Sequence, residues 1–373
     1  MIRRTWLSIG LVLAVVAAVS VIRLRIPKVD AEEAISRLVQ ERDGLCSFQY
    51  ETSPVEKLLA FALRRPAEET QLVSTISVRT CRIEPGDAMI YARCRKLQGI
   101  DLSHTRCDDA FLDALGSHSQ LTTVELEGTV VTDEGVIRLL RRCPQISRLV
   151  LSDTHVTDKL LRELAARGNI RELHLAGNAV TDQGIVALCR ACPTLTHLGL
   201  RMTGITDASL PDIGALPNLD MLLLAGTEIT DAGVAHLAAR RISTIDLAGT
   251  DVTSAGVARL HPAAIDDLDL EATDIDDTVI DHLFKMPELK YLSLAHCRFT
   301  DAGARRLAQL EQLQSLDLTG ATISEAVRVE LQQTLPGGLV NRGTELPVGQ
   351  DPNEPRWHQR LRERILERRA DLP

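Results

Sequence analysis

Residues 219–241 read LDMLLLAGTEITDAGVAHLAARR, and residues 242–264 read ISTIDLAGTDVTSAGVARLHPAA. The second segment repeats the first at an offset of 23 residues, with Leu-Ala-Gly-Thr, a later Thr, Ala-Gly-Val-Ala and Leu in register. A fixed period of this length is the sequence signature of a solenoid, in which each repeat packs only on its neighbours. This pair of segments therefore predicts a solenoid fold.

The same pattern recurs along most of the chain at intervals of 23 to 25 residues. Ten copies begin at Leu97, Leu121, Ile146, Ile170, Leu195, Leu219, Ile242, Ile265, Leu289 and Leu313, and we number these copies as repeats one to ten. A degenerate copy begins at Val73. The copies predict one elongated repeat domain over residues 73–335, although the length of 373 residues alone suggests two or three domains.

Each copy contains two hydrophobic periods. Counting its first residue as offset 0, apolar residues stand at offsets 0, 3 and 5, and the last two alternate as in a short strand. Later apolar residues spaced by three, such as Val234 and Leu237, predict one face of a helix. A Thr precedes the helix in seven of the ten copies and an Asp usually follows it, which suits the helix N-cap and the helix dipole. We interpret this Thr-Asp pair as a folding signal rather than a catalytic pair.

A polar residue follows the strand at offset 8 in most copies. The column consists of Thr129, Thr154, Asn178, Thr203, Thr227, Thr250 and Thr273, with Cys297 and Ala321 in the last two repeats. A polar side chain repeated at this place is expected to lie inside the turn and to satisfy buried backbone groups of its own and the adjacent coil.

The combined pattern L-x-x-L-x-L-x-x-T-x-[VI]-T-D-x-G-[VI]-x-x-L resembles that of the leucine-rich repeat superfamily. It is most similar to the cysteine-containing type found beside F-box domains and in bacterial GALA-like proteins. The resemblance implies an α/β horseshoe of about ten repeats, with a parallel sheet on the concave face and helices on the convex face. It also implies that the concave face holds another protein.

Two cysteines, Cys143 and Cys192, share a slot before a Pro at the end of the repeat helix, as in the cysteine-containing type. Cys189 and Cys192 also form a C-x-x-C, but they lie at a helix C-terminus, where the dipole does not lower a thiol pKa. We interpret them as buried packing residues, with a disulfide or redox role as the alternative. The sequence contains no second C-x-x-C to complete a zinc site.

Composition and motifs restrict the class of function. The net charge of −9 argues against a general nucleic-acid surface, which requires clustered Lys and Arg. The sequence contains no H-E-x-x-H, no phosphate-binding loop, no G-x-S-x-G and no dinucleotide fingerprint. We therefore expect a protein that is not an enzyme, with no cofactor, no small-molecule substrate and no nucleic-acid partner.

The N-terminal segment, residues 1–28, contains an uncharged run from Thr5 to Ile22 between arginines. A run of this length is just enough to span a bilayer as a helix, so a single-pass N-terminal membrane anchor is predicted. The alternative is a signal peptide cleaved after Ser20, which implies a secreted or periplasmic protein.

The remaining segments flank the repeats. Residues 30–70 are predicted to form a helical N-terminal cap, with an F-box-like docking segment as the alternative. Residues 336–355 have the composition of a flexible linker, and residues 356–373 predict an Arg-rich helix with Trp357, Leu361 and Ile365 in one stripe. This helix is expected to fold back as a cap, or else to dock on a partner or an anionic membrane surface.

Strand alternation places offsets 2, 4, 6 and 7 on the concave face. There, acidic ends flank a neutral window in repeats three to six, and we expect a partner to bind this window unless the pattern is chance variation on a solvated face. The candidate residues are Arg148, Val150, His174, His197, Arg201, Met202, Met221, Leu223 and Tyr291.

The function predicted from these features is a membrane-anchored scaffold that binds another protein through its concave face. One alternative is the substrate-recognition arm of an F-box-like ubiquitin-ligase complex. A second is a metal-binding protein that uses Asp246, Asp267, Asp269 and Glu271, although carboxylates at i and i+2 on a strand lie about 6.5 Å apart, which is wide for one cation.

Overall fold

A computed structural model describes residues 47–50, 73–77, 83, 88, 91–92, 94, 96–260, 264–334 and 356–370. Within these residues, twelve strands form one sheet in sequence order. The first strand pairs antiparallel with the second, and every later pair is parallel. The result is an open parallel sheet of eleven strands with one antiparallel strand at its edge. The predicted solenoid, with a parallel sheet alternating with helices, is thereby confirmed.

The strands are three to five residues long. They are β1 Ser47–Tyr50, β2 Val73–Ser77, β3 Gly99–Asp101, β4 Thr123–Glu125, β5 Arg148–Val150, β6 Glu172–His174, β7 His197–Gly199, β8 Met221–Leu223, β9 Thr244–Asp246, β10 Asp267–Asp269, β11 Tyr291–Ser293 and β12 Ser315–Asp317. Strand β2 belongs to the degenerate copy, and β3 to β12 belong to repeats one to ten.

The convex segments are helices of unequal length. The α-helices of the repeats are α1 Asp109–Leu115, α2 Asp133–Arg142, α3 Asp158–Arg167, α4 Asp182–Ala191, α5 Leu210–Ile213, α6 Asp231–Val234, α7 Ser254–Val257, α8 Ile280–Leu283, α9 Asp301–Leu307 and α10 Glu325–Thr334. A further helix, α11 Arg356–Ala370, follows the repeats and is not a convex segment. Single 3-10 turns at Asp207–Ser209, Ala235–Leu237 and Asp277–Val279 adjoin α5, α6 and α8. Helices of ten residues occur in repeats two to four and in repeat ten, whereas repeats five to eight have α-helices of only four residues.

One continuous hydrophobic core fills the space between the sheet and the convex segments. Its inner layer comes from the offsets predicted for the strand, as in Leu222 and Leu224, which are fully buried. Its outer layer comes from the helix positions, as in Val234 and Leu237. Because each coil covers the apolar side chains of the next, no coil buries its own core alone.

The polar column at offset 8 lies inside the turns, as predicted. The Thr227 hydroxyl donates to the carbonyl oxygen of Leu224 at 2.5 Å, and the Thr250 hydroxyl donates to that of Leu247 at 2.6 Å. Asn178 reaches the adjacent coil as well, since its side-chain amide donates to the carbonyl oxygens of Leu175 and Leu151. The column therefore forms hydrogen bonds mainly with backbone carbonyl groups of its own coil, and at Asn178 with the neighbouring coil as well.

The recurrent Thr-Asp pair joins consecutive repeats. The Asp of one repeat accepts a hydrogen bond from the backbone N–H of the next Thr and another from its hydroxyl. These pairs are Asp109–Thr132, Asp133–Thr157, Asp158–Thr181, Asp182–Thr206, Asp207–Thr230, Asp231–Thr253 and Asp277–Thr300. Between repeats seven and eight the roles are exchanged, and Ser254 in the Asp slot donates to Asp276 in the Thr slot at 2.9 Å.

Among the described residues, no helix is long and apolar enough to cross a bilayer. This finding contradicts the prediction of a single-pass membrane anchor. The longest helix, α11, has 15 residues and is rich in arginine, whereas a spanning helix needs about 20 apolar residues. Residues 1–28, on which the anchor and signal-peptide predictions depended, lie outside the described residues.

Two flanking segments lie largely outside the described residues, namely the predicted helical cap and the predicted linker 336–355. The described part of the cap region, Ser47–Tyr50, is strand β1 rather than a helix, because it pairs with β2 at the edge of the sheet. Of residues 356–373, the structure describes α11, so the predicted Arg-rich helix is present.

Helix α11 crosses the sheet edge at which the parallel strands end. Here the residue at offset 7 of every repeat has a positive φ, and we call these ten positions the rim. They are His104, Gly128, Asp153, Gly177, Met202, Gly226, Gly249, Ala272, His296 and Gly320. Helix α11 contacts the rim from Asp153 to Ala272, which places it beside the concave face of repeats three to eight.

Candidate functional site

The concave face consists of two columns of side chains that run in register from β3 to β12. The first column, at offset 2, contains Gly99, Thr123, Arg148, Glu172, His197, Met221, Thr244, Asp267, Tyr291 and Ser315. The second column, at offset 4, contains Asp101, Glu125, Val150, His174, Gly199, Leu223, Asp246, Asp269, Ser293 and Asp317. Both columns match the positions predicted from strand alternation.

Carboxylates are the commonest charged groups in the two columns. The columns contain seven carboxylates, namely Asp101, Glu125, Glu172, Asp246, Asp267, Asp269 and Asp317. Arg148 is the one Arg or Lys in the columns, and its guanidinium bridges Glu125 and Glu172 on the two adjacent strands. The concave face therefore presents a net negative potential to an approaching molecule.

A groove of about 130 Å³ lies on this face between β7 and β12. Leu223 lines it on one side and Tyr291 on the other, with Asp246 and Asp269 between them. Arg201 reaches over the groove from the end of β7 and forms an ion pair with Asp246, which is nearly fully buried. Tyr291 remains 45% exposed, and its hydroxyl donates to the side-chain carbonyl of Gln314.

Several second-column carboxylates also hold the turn that follows their strand. Asp246 accepts from the backbone N–H of Ala248 at 3.0 Å, Asp269 from that of Glu271 at 2.9 Å, and Asp317 from that of Thr319 at 2.9 Å. The sequence analysis treated these residues as surface charge or, for Asp246 and Asp269, as candidate metal ligands. The signal that could have identified their role is the Asp at the last strand position, since Asp side chains commonly bond to a backbone N–H two residues on.

The groove raises the pKa of one of its carboxyl groups. Burial deep in the concave face raises the pKa of Asp269 to about 7, and the neighbouring charge of Asp246 acts in the same direction. Both residues face the groove from adjacent strands. The pair therefore holds less negative charge near neutral pH than two isolated aspartates.

The imidazole of His174 lies over Gly199 on the next strand, where an added Cβ would be only 2.6 Å from its Nδ1. Burial lowers the pKa of His174 to about 4, and the positive charges of Arg148 and Arg201 lower it further. His174 is therefore neutral at physiological pH. This ring fills the space above a glycine and contributes no charge to the predicted window.

The structure places most of the predicted site residues on the concave face. Val150, His174, His197 and Met221 are half-buried members of the columns, and Leu223 forms a floor that is only 8% exposed. Met202 does not belong to this surface. Its backbone adopts a left-handed conformation with φ of 53°, which directs the side chain to the rim, where it packs beneath α11.

The described part of the chain contains both the candidate metal ligands and the cysteines of the C-x-x-C motif. Across those residues, no group of three or more His, Cys, Asp or Glu side chains is arranged to hold a metal ion. Cys189 and Cys192 are buried free thiols, and burial raises the pKa of Cys189 to about 12. Cys143 and Cys192 both cap a helix C-terminus with similar backbone angles, which agrees with a packing role in equivalent slots.

Comparison with known proteins agrees with the repeat assignment. The family model described as "Leucine Rich repeat" matches residues 169–189 and 285–308. No curated protein matches the chain.

Two solved structures are similar to the chain. A plant peptide hormone receptor, RGFR1, in complex with RGF2 shares 16% identity over 69% of this chain and 45% of the receptor chain, with a TM-score of 0.44. This chain thus spans less than half of that receptor chain. An internalin, inlF, from Listeria monocytogenes shares 15% identity over 75% of this chain and 92% of its own, with a TM-score of 0.48.

Proposed function

We propose that this leucine-rich repeat solenoid is a protein-interaction scaffold that binds a basic polypeptide along its concave face. The observation that carries the proposal is the pair of in-register columns from β3 to β12, which form one continuous surface whose charged residues are seven carboxylates and one arginine. Leucine-rich repeat proteins commonly act as non-enzymatic scaffolds, and the proposal assigns no catalysis. We also propose that the repeats are of the cysteine-containing subtype, because Cys143 and Cys192 occupy equivalent positions in their repeats.

Charge favours a basic partner. The one Arg in the columns, Arg148, is already bridged between Glu125 and Glu172, so the columns offer carboxylates rather than cations to a ligand. Opposite charge on a concave surface accelerates encounter and selects against acidic partners more than it contributes affinity. We therefore expect binding to become slower, and not only weaker, as the salt concentration rises.

The contact area is expected to centre on the groove. Tyr291 is the large aromatic residue that this face exposes, and Met221 lies half-buried beside the floor formed by Leu223. Aromatic residues that lose water on binding are the usual sites of high binding energy. A partner segment placed between Met221 and Tyr291 would bury both and direct a basic side chain at Asp267, which also lines the groove.

The test is capture of a partner by the immobilised full chain, followed by quantitative binding with the captured protein. Met221→Ala combined with Tyr291→Ala should weaken binding at least about tenfold, because it removes two contact side chains. The matched control is Phe284→Ala, which removes an aromatic residue that is 39% exposed on the convex side. Loss of binding in the control with retention in the double variant would place the site on the convex helices.

A charge test separates steering from contact. Asp267→Lys reverses a charge in the first column, and Glu288→Lys makes the same change at an exposed position outside the columns. We expect Asp267→Lys to reduce the association rate and its salt dependence more than Glu288→Lys does. Equal effects of the two variants would show that the acidic columns do not guide the partner.

A further inference from the structure

The rim carries a pattern of backbone strain. Half of its ten positions are glycine, which adopts a positive φ freely, whereas Asp153, Met202, Ala272 and two histidines adopt it as non-glycine residues with φ of 52° to 59°. This conformation is costly for a side chain other than Gly, Asn or Asp and persists where other contacts compensate. Asp153, Met202 and Ala272 are the three non-glycine residues in the part of the rim that α11 crosses.

Asp153 contacts α11 directly, and Met202 and Ala272 are associated with an apolar cluster that includes residues of α11. The Arg360 guanidinium lies 3.3 Å from the carboxylate of Asp153, whose side chain is buried. Met202 packs against the small apolar cluster to which Leu361, Ile365 and Ala272 belong. The full cluster consists of Met202, Ala225, Ala248, Ala272, Leu361 and Ile365. The non-glycine residues of this part of the rim therefore form a shelf that matches the helix.

Glycines complete the shelf by allowing close approach. A Cβ added to Gly226 would lie 3.0 Å from Cδ1 of Leu361, and one added to Gly249 would lie 3.6 Å from side-chain atoms of both Leu361 and Ile365. Two arginines then anchor the helix to backbone oxygens, because Arg360 donates to the carbonyl of Gly177 at 2.9 Å and Arg364 to that of Thr227 at 3.5 Å. The shelf thus recognises two aliphatic and two guanidinium groups.

The attachment is small for a helix of 15 residues. Among the side chains of α11 that the structure describes, only Leu361 and Ile365 are buried, while Leu366 is 43% exposed. The helix is joined to α10 by 21 residues, 335–355, and fully extended chain of that length reaches at most about 75 Å. The distance from repeat ten back to repeat three is about 34 Å at 4.8 Å per strand, so the connection permits the helix to leave and return.

We propose that the rim of repeats three to eight is a docking site for a basic amphipathic helix, occupied in the resting protein by α11 and open to a partner helix of the same chemistry. The site recognises an arginine followed by an aliphatic residue, and the same pair again one helical turn later. In α11 these pairs are Arg360-Leu361 and Arg364-Ile365. This site is distinct from the concave columns, and its partner displaces α11 rather than adding to it.

The experiment measures binding of a labelled peptide of residues 356–370 to three full-length proteins by fluorescence anisotropy. In Leu361→Asp/Ile365→Asp the tethered helix is released, and this variant should bind the peptide. The wild type should bind at least about tenfold more weakly, because a tethered segment competes at an effective concentration on the order of millimolar. Leu366→Asp is the matched control, since it places the same charge at an exposed position of α11 and should behave as the wild type.

Arg360→Glu provides a second, milder release. It reverses the charge that faces Asp153 without changing the aliphatic pair, and it should give intermediate binding of the peptide. An unlabelled peptide that carries both Asp substitutions should fail to compete. Thermal melting of each protein checks that the solenoid is intact.

Three outcomes would overturn the proposal. An intact released variant that does not bind the peptide would show that the rim is no helix site. Equal binding by wild type and released variant would show that α11 does not occupy the site. A wild-type dimer that dissociates on adding the peptide would assign the displacing helix to a second copy of the chain rather than to a separate partner.

Discussion

Asp207 accepts two hydrogen bonds from Thr230, one from the backbone N–H at 2.9 Å and one from the hydroxyl at 2.6 Å, across a separation of 23 residues. The same Thr230 hydroxyl accepts from the N–H of Ala232 and so caps the next helix. A carboxylate in one repeat therefore fixes the start of the helix in the following repeat. The Thr-Asp motif thus determines how consecutive coils stack.

Asp207→Ala should destabilise the protein by roughly 2 kcal/mol, since it removes two hydrogen bonds to a charged acceptor from a partly buried site. The measurement is the midpoint of urea unfolding. Asp281→Ala is the control, because Asp281 is 71% exposed and pairs only with Arg306 at the surface, and it should change the midpoint little. Equal shifts in the two variants would show that the contact between repeats adds nothing beyond a surface ion pair.

Gly233→Ala should also destabilise the protein, because the added methyl group would lie 2.2 Å from the carboxylate oxygen of Asp207. The effect should shrink when Asp207 is already alanine, since the clash partner is then absent. A double-mutant cycle measured by thermal unfolding gives this coupling directly. Strictly additive effects would mean that the recurrent glycine is required by the helix backbone rather than by the close approach of the Asp207 carboxylate.

Core and turn substitutions test the inward-facing positions. Leu224→Ala should cost roughly 2 to 5 kcal/mol, because a fully buried side chain leaves a cavity between coils. Thr227→Val should cost only about 1 kcal/mol, because the Leu224 carbonyl loses the hydroxyl but keeps the N–H of Thr227. Val130→Ala, at a position 54% exposed, is the control for both. Calorimetric melting of the three variants should rank them in that order.

Asp269→Asn should stabilise the protein at alkaline pH. The pKa of Asp269 is raised from 3.8 to about 7 in the folded state, so the unfolded chain loses this proton first and stability falls as the pH rises from about 4 to 7. Asparagine removes that loss and can still accept from the N–H of Glu271. The melting temperature of the variant should equal that of the wild type near pH 3 and exceed it at pH 8. Asp274→Asn, which makes the same change at an exposed position outside the groove, is the matched control.

Sequence periodicity predicted the fold and both concave columns correctly because each depends on local rules. Alternation places Leu222 and Leu224 inward, and therefore Leu223 on the opposite face, in any short strand. Alternation did not predict that Leu223 is only 8% exposed on that face, because its burial depends on the neighbouring strands. The Met202 prediction failed for a related reason, since its left-handed backbone redirects a side chain that simple alternation assigns to the concave face.

Contacts between distant parts of the chain were the features that sequence reasoning missed. The Asp of the Thr-Asp pair was attributed to the helix dipole, whereas its main partner is the Thr of the following repeat. Strand β1 had no repeat pattern to reveal it, because it pairs antiparallel at the sheet edge. The position of α11 depends on Leu361 meeting a shelf built from several repeats, which no single stretch of sequence encodes.

Helix α11 also affects how the repeat array unfolds and how it folds. In an array held only by neighbouring contacts, terminal repeats can fray while the middle stays folded. The contact of Arg360 with Asp153 spans 207 residues and ties together repeats that otherwise never meet. Because residues 356–370 are synthesised after all ten repeats, this tie forms only on a completed solenoid. Proteolytic resistance that appears across repeats three to eight together, late in synthesis, would be its kinetic signature.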